Sequence, residues 1–280
     1  MTLWTPAPAA ETGDRSAASP LDALRPADRD GGPAPLILLH GFPMDRGLWE
    51  DVGAAWGEDR PVLAVDLPGF GDSGWDGDTF EMAETADWLV ATLEALQIRR
   101  PIVLMGLSMG GYIALEFAAR HPARLAHLVL CNSRAEADSE AARAGRLQVA
   151  ETVAERGVEA LVESMLPKLL APSTWQQRPA VVKRLREMMR RSSAASIAAA
   201  QRGMAARRGL LEAIASWPVP ITCISGEEDG LTGPSVMQPI VDRGRQATLH
   251  VVPHAGHVTP LENPAGLVSA VRTSLCPDPL

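Results

Sequence analysis

Aromatic side chains make up only 4% of this chain, and its single tyrosine, Tyr112, excludes chemistry that needs a pair of phenols. Positive charge is the minority sign. Lys and Arg number 26 against 34 Asp and Glu, for a formal net charge of −8 and a pI of about 5.3. That balance offers no basic face to nucleic acid and no attraction to an anionic membrane. Cysteine is sparse. Cys131, Cys223 and Cys276 are odd in number and widely spaced, with no Cys-x-x-Cys pair or Cys/His cluster to hold zinc, so they read as reduced structural thiols of a cytoplasmic protein. The N-terminus has no basic region leading into an apolar core, so no signal peptide is expected. No apolar run reaches the ~18 residues of a membrane span. What remains, 46% apolar and 21% charged over 280 residues, is an ordinary globular balance with ample chain for a full core.

Residues 1–34, rich in Pro, Ala, Asp and Gly and without periodicity, read as a disordered or loosely packed leader. Short, continuously apolar runs then recur at 35–41, 60–69, 100–106, 125–132, 219–226 and 247–254. Runs without alternation mark strands buried on both faces, as in a parallel sheet. Helical patterns lie between them at 80–97, at 109–121 (stopped by Pro122) and at 264–275, which starts on Pro264. Such alternation predicts an α/β fold with a mostly parallel, doubly wound sheet. From 136 to 208 the strand signal disappears. That stretch reads as several short helices, interrupted by Pro167, Pro172 and Pro179 and inserted as a lid over the sheet's carboxyl edge, with a core of 35–135 and 209–280.

Ser108 stands between Gly106 and Gly110 in "GLSMGG", after one apolar strand and before an apolar helix. A strained strand–turn–helix bend of this kind projects a serine Oγ above the strand ends, over a helix N-terminus that favours developing negative charge. A nucleophilic serine needs an acid and a base later in the chain. "CISGEEDGLTGP" (223–234) offers Glu227, Glu228 and Asp229; the glutamates read as solvated loop charges, and Asp229, before a glycine turn, is favoured. "VVPHAGHVTP" (251–260) offers His254 and His257, of which His257, after Gly256, is favoured. His121, His127 and His250 have plain structural readings. Two backbone donors complete such a site. Met109 N–H follows the nucleophile, and Phe42 N–H lies in the "HGFPMD" turn braced by His40, because Pro43 has no N–H.

The motifs "HGFPMD" (40–45), "DLPGFGDSG" (66–74), "GLSMGG" (106–111), "GEEDGLTGP" (226–234) and "HAGH" (254–257) together resemble the α/β-hydrolase superfamily, across residues 35–276. The resemblance implies Ser108 as nucleophile, Asp229 as acid, His257 as base, and Phe42 and Met109 as oxyanion-hole donors. No metal or organic cofactor is implied. Two departures stand out. The antiparallel hairpin with which many members open is missing from 1–34, so the sheet is expected to be short at that edge. Epoxide hydrolases and dehalogenases share "HGFP" but carry Asp where this chain has Ser108, and one tyrosine cannot supply the lid pair that epoxide opening uses. Within the serine branch the chain looks most like small carboxylesterases and enol-lactonases, which implies a small-molecule ester or lactone substrate, with Met165, Leu169 and Trp175 as apolar pocket residues of the lid. A lyase or C–C hydrolase on the same residues is the rival, for which Arg184, Arg186, Arg190 and Arg191 could bind a polyanion if they are not simply a solvated face. A non-catalytic binder is the other.

Overall fold

The computed structural model describes residues 32–275, apart from 57–59, 76 and 78–79. Most of the leader, and Cys276, therefore lie outside the described residues. The chain enters on β1 (Leu36–Leu39), passes through α1 (Glu50–Trp56) to β2 (Val62–Val65), and continues with α2 (Met82–Ala95), β3 (Ile102–Leu107), α3 (Met109–Arg120) and β4 (Leu125–Cys131). Five helices follow without a strand: α4 (Glu140–Arg156), α5 (Glu159–Leu169), α6 (Pro172–Gln177), α7 (Pro179–Arg190) and α8 (Ala194–Ala206). After the short α9 (Leu211–Ile214) come β5 (Ile221–Gly226), α10 (Pro234–Arg243), β6 (Ala247–Val252), α11 (Thr259–Glu262) and α12 (Pro264–Leu275).

The six strands form one parallel sheet in the order β2-β1-β3-β4-β5-β6. Among the described residues the sheet ends at β2, with no antiparallel hairpin beyond it. Both faces of the inner strands are covered, which is why they lack polar alternation. β6, at the edge, is exposed or half-exposed over most of its length despite its apolar run, with Val251 48% exposed. Ile37 and Leu39 of β1 join a core cluster with Leu89 of α2 and Ile113 and Phe117 of α3. Leu36 and Leu38 point the other way, into a cluster with Val52 and Trp56 of α1 and Val268 of α12. Cys131 and Cys223 sit buried and unbridged in the central strands, and burial pushes the Cys223 thiol up to about 12. They are inert packing atoms.

The five-helix excursion closes on itself at its base. Leu210 N donates to Ala135 O at 2.7 Å. Buried Arg207, just after α8, pairs at 2.7 Å with buried Asp138, just before α4. Its guanidinium also stacks 4.2 Å from the Tyr112 ring centroid. The chain thus leaves and rejoins the sheet at adjacent points. The prolines in this stretch act differently from one another. Pro172 and Pro179 begin helices, where the missing N–H costs nothing, whereas Pro167 lies inside α5, two residues from its end, and does not interrupt it.

β3 and α3 approach so closely that only glycine fits. A Cβ on Gly106 would stand 2.2 Å from Gly110 O, and one on Gly110 2.4 Å from Leu39 O and 2.7 Å from His40 O. Backbone cannot yield as a flexible side chain does. Gly110→Ala is therefore expected to destabilise the fold by about 3 kcal/mol, measured as a lower urea midpoint at unchanged slope; a midpoint equal to that of the wild type would contradict the packing described.

Candidate active site

Ser108 occupies the bend between β3 and α3 at φ 52° and ψ −110°, a left-handed φ rare for a side-chain-bearing residue. The bend is held by backbone bonds. Ser108 N donates to Cys131 O at 2.9 Å, and Ser108 O accepts from Gly111 N at 2.9 Å and from Ser133 Oγ at 2.9 Å. The side chain itself makes no capping bond to its helix and is half-buried. Strain retained at one residue by rigid surroundings is how a side chain is kept in a position it would not choose. Gly41 runs alongside: a Cβ there would lie 3.5 Å from Ser108 Cβ. The Gly41–Phe42 backbone thus passes next to the serine, and the Met109 N–H sits in the first turn of α3, where a helix leaves amides without partners of its own.

His40 shapes that turn from beneath. Its Nδ1 donates to Gly41 O at 2.9 Å and its Nε2 accepts from Leu67 N at 3.0 Å. Accepting an amide requires a neutral ring, and burial accordingly lowers the His40 pKa.

The acid and base meet across two other loops. His257 Nδ1 lies 2.9 Å from Asp229 Oδ2, and both side chains are buried. Asp229 collects further donors. Oδ1 accepts from Leu231 N at 2.8 Å and Thr232 N at 3.1 Å, and Oδ2 accepts from Thr232 Oγ1 at 2.7 Å and Asn132 Nδ2 at 2.8 Å. Burial alone would disfavour the charged form. The His257 charge and the bonds from His257, Asn132 and the Leu231 amide outweigh it and hold the carboxyl well below the usual carboxylate range. The neighbouring acids sit elsewhere. Glu227 is exposed and accepts from His254 N at 3.3 Å, and Glu228 accepts from Ser173 Oγ at 3.3 Å. His254 is exposed, at φ 55°.

Asn132 links the serine to the pair. It follows β4 at φ 45°, between the two residues that hold the Ser108 backbone, with Nδ2 on Asp229 and Oδ1 accepting from Thr259 Oγ1 at 2.8 Å. Sequence reading passed over Asn132, Thr232 and Thr259. The one available signal was an Asn at the carboxyl end of a strand, a residue type that tolerates left-handed backbone.

The insertion touches both sides of this site. Ser192 Oγ donates to Pro43 O at 3.0 Å, and Arg191 Nη2 pairs with buried Asp45 at 2.5 Å, both on the Phe42 turn. On the other side, His257 N and Val258 N donate to Leu169 O at 3.0 and 3.2 Å. Of the lid residues singled out, Leu169 is fully packed in a core cluster, Met165 is half-buried against both clusters, and Trp175 is 39% exposed. The four arginines are all engaged. Arg184 pairs with Asp51 and Glu50, Arg186 with Glu163, Arg190 with Glu159, and Arg191 with Asp45. Among the described residues no group of three or more His, Cys, Asp or Glu is placed to hold a metal, and no helix is long and apolar enough to cross a membrane.

A parallel sheet with this serine bend and a buried Asp–His pair at its strand ends defines an enzyme of the α/β-hydrolase class, and residues 34–264 match the family described as alpha/beta hydrolase fold, to which the chain belongs. A curated relative, 2-succinyl-6-hydroxy-2,4-cyclohexadiene-1-carboxylate synthase of Enterobacter sp. strain 638, is 31% identical over 256 residues, covering 86% of this chain and 91% of the relative. A thermophilic esterase from Thermogutta terrifontis superposes with a TM-score of 0.84 at 35% identity, covering 86% of this chain and 89% of that one. The enol-lactonase of Burkholderia xenovorans LB400 shares the fold, with a TM-score of 0.80 at 24% identity over 88% of this chain and 93% of that one.

The folded-state Asp229 carboxyl titrates below its unfolded value, so its contribution to stability is complete above about pH 4 and is lost as pH falls through the folded value. The stability gap between wild type and Asp229→Asn, measured by urea unfolding, is expected to narrow as pH falls below about 4. A gap independent of pH would mean that the carboxylate is not held ionised.

Proposed function

We propose that the protein is a serine hydrolase of small carboxylic esters or lactones, acting through Ser108, His257 and Asp229. The observation that carries the reading is the buried Asp229–His257 pair, tied through Asn132 to the same β4 loop that bonds the Ser108 backbone. His257 Nδ1–H points at Asp229, which leaves Nε2 as the free acceptor of a neutral ring. In the proposed reaction Nε2 takes the Ser108 proton as Oγ attacks the carbonyl carbon. The resulting oxyanion lies against the N–H groups of Phe42 and Met109. The imidazolium returns its proton to the leaving alcohol, and a water activated by the same nitrogen hydrolyses the acyl-enzyme and frees Ser108. Asp229 holds the tautomer and stabilises the imidazolium; the cycle draws on no cofactor.

The Thermogutta terrifontis esterase, 35% identical, supports the ester reading. The curated synthase supports a second, in which the same base abstracts a proton and a lyase step follows. The engagement of Arg184, Arg186, Arg190 and Arg191 with carboxylates of this chain weighs against their serving a polyanionic substrate. A fluorophosphonate probe is expected to label Ser108 and to leave Ser108→Ala unlabelled; labelling of another serine in the variant would end the assignment. On one activated ester, Asp229→Asn is expected to lower kcat by about 10⁴, because the ring is then held in the wrong tautomer, while His254→Ala stays within a few-fold of wild type. Loss of activity in His254→Ala with retention in His257→Ala would reverse the assignment of the base.

The five-helix insertion, acting as a lid, sets substrate size. Its α5 and α7 place Leu166, Leu169, Leu185 and Met189 in a core cluster, so the cover is a packed unit rather than a loose flap. Short and medium acyl esters or lactones are therefore expected to turn over faster than long-chain triglycerides in a chain-length series. Preference for the triglycerides, with activation at an interface, would contradict this.

A further inference from the structure

The carboxylate of Glu262, in α11, is buried and makes no ion pair with a guanidinium or ammonium among the described residues, although the guanidinium of Arg178 reaches the main-chain oxygen of the same residue at 2.6 Å. Its two oxygens are shared between two parts of the protein. Oε1 accepts from Gly256 N at 2.8 Å, one residue before His257. Oε2 accepts from Ala171 N at 2.8 Å, in the link between α5 and α6, and the Thr174 side chain of α6 lies beside the same carboxylate and favours its charged form. The surfaces it joins are in tight contact. A Cβ on Gly256 would lie 2.4 Å from Ala171 N, and the amides of His257 and Val258 both end on Leu169 O.

We propose that Glu262 is a positioning residue whose carboxylate fastens the insertion to the loop that carries His257, so that the orientation of the imidazole depends on where the insertion is seated. The proposal rests on His257 as the base, as assigned above. The geometry calls for an acceptor at both carboxyl oxygens rather than for any filler. Two backbone amides converge on the carboxylate from segments that share no regular secondary structure, and a buried amide left without an acceptor is costly. Burial raises the Glu262 pKa, opposed by the Ala171 and Gly256 amides, the Thr174 side chain and the Arg178 charge. A glutamine of the same shape retains one acceptor oxygen and turns an N–H toward a donor, which breaks one of the two backbone bonds. A displacement of the His257 loop by a fraction of an ångström is enough to lose reactive alignment.

The test uses the full chain and the variants Glu262→Gln, Thr174→Val and the double variant, with Ser108→Ala and His257→Ala as references. Glu262→Gln is expected to lower kcat on an activated ester by about 10- to 100-fold with KM within about threefold, since binding of the ester does not run through this carboxylate. The proton NMR resonance of the His257 Nδ1–H, bonded to Asp229, is expected to shift or broaden. Thr174→Val is isosteric and so folds even if Glu262→Gln does not; it is expected to show the same effects more weakly. The double variant should be no worse than Glu262→Gln by more than about twofold, because both act through one group. A lowered Tm with kcat and the Nδ1–H resonance unmoved, or additive losses in the double variant, would overturn the proposal and make Glu262 a structural brace. Turnover by Ser108→Ala would instead overturn the reading of the reaction; the NMR arm, which needs no turnover, would still decide the tether.

Discussion

One buried carboxylate organises this site. Asp229 sits out of water, where an isolated charge is prohibitively expensive, and it is tolerated only because donors from three loops converge on it. Asn132 arrives from the end of β4, Leu231 and Thr232 from the loop after β5, and His257 from the loop after β6. Each of these loops must adopt one conformation to satisfy the charge. The requirement runs both ways, since removing a donor leaves the carboxylate short of partners, while removing the carboxylate strands several buried donors. Rigidity at His257 follows from this accounting of hydrogen bonds rather than from any stiffness of the loop itself.

The serine is fixed by a different means. Its bend is a consequence of how closely β3, α3 and β1 pack, an approach that Gly106 and Gly110 alone permit. Ser108 is left in a strained backbone conformation that its neighbours over-determine. Steric packing thus places the serine and electrostatic satisfaction places the acid and base. The two systems are joined at Cys131, Asn132 and Ser133, where alternate residues bond to Ser108 and the middle one to Asp229.

The insertion belongs to both. Arg191 and Ser192 bear on the Phe42 turn, and Leu169 and Ala171 on the His257 loop. Its contacts are not the same on the two sides. Toward Phe42, exposed Arg191 reaches Asp45, an interaction that salt weakens, beside the buried bond from Ser192 Oγ to Pro43 O. Toward His257 the bonds are buried and to backbone, where salt has little hold. The arginine-rich face of α7 is partly exposed and paired with acids of this chain. Arg184 and Arg191 reach α1 and the Phe42 turn and so fasten the insertion to the core, whereas Arg186 and Arg190 reach α5 within the insertion.

Runs of β-branched and leucine residues determined the inner strands by themselves, because a strand covered on both faces has no polar position to hide. The glycines around Ser108 likewise determined the bend, since only a backbone that must touch backbone spends glycine there. Elements whose cause is not local were harder to read. α1 and α10 carried too little periodicity, Pro239 lies within α10, and Pro167 lies within a helix instead of ending one. Asn132, Thr232, Thr259 and Glu262 were invisible for a deeper reason. A polar side chain on a loop has no periodicity to betray it, and its role depends on which distant donor or acceptor folding sets beside it. The choice among Glu227, Glu228 and Asp229, and between His254 and His257, is of the same kind. Their local sequence signals differ only slightly, and only tertiary structure buries one acid beside one imidazole and leaves the others to water or to surface partners.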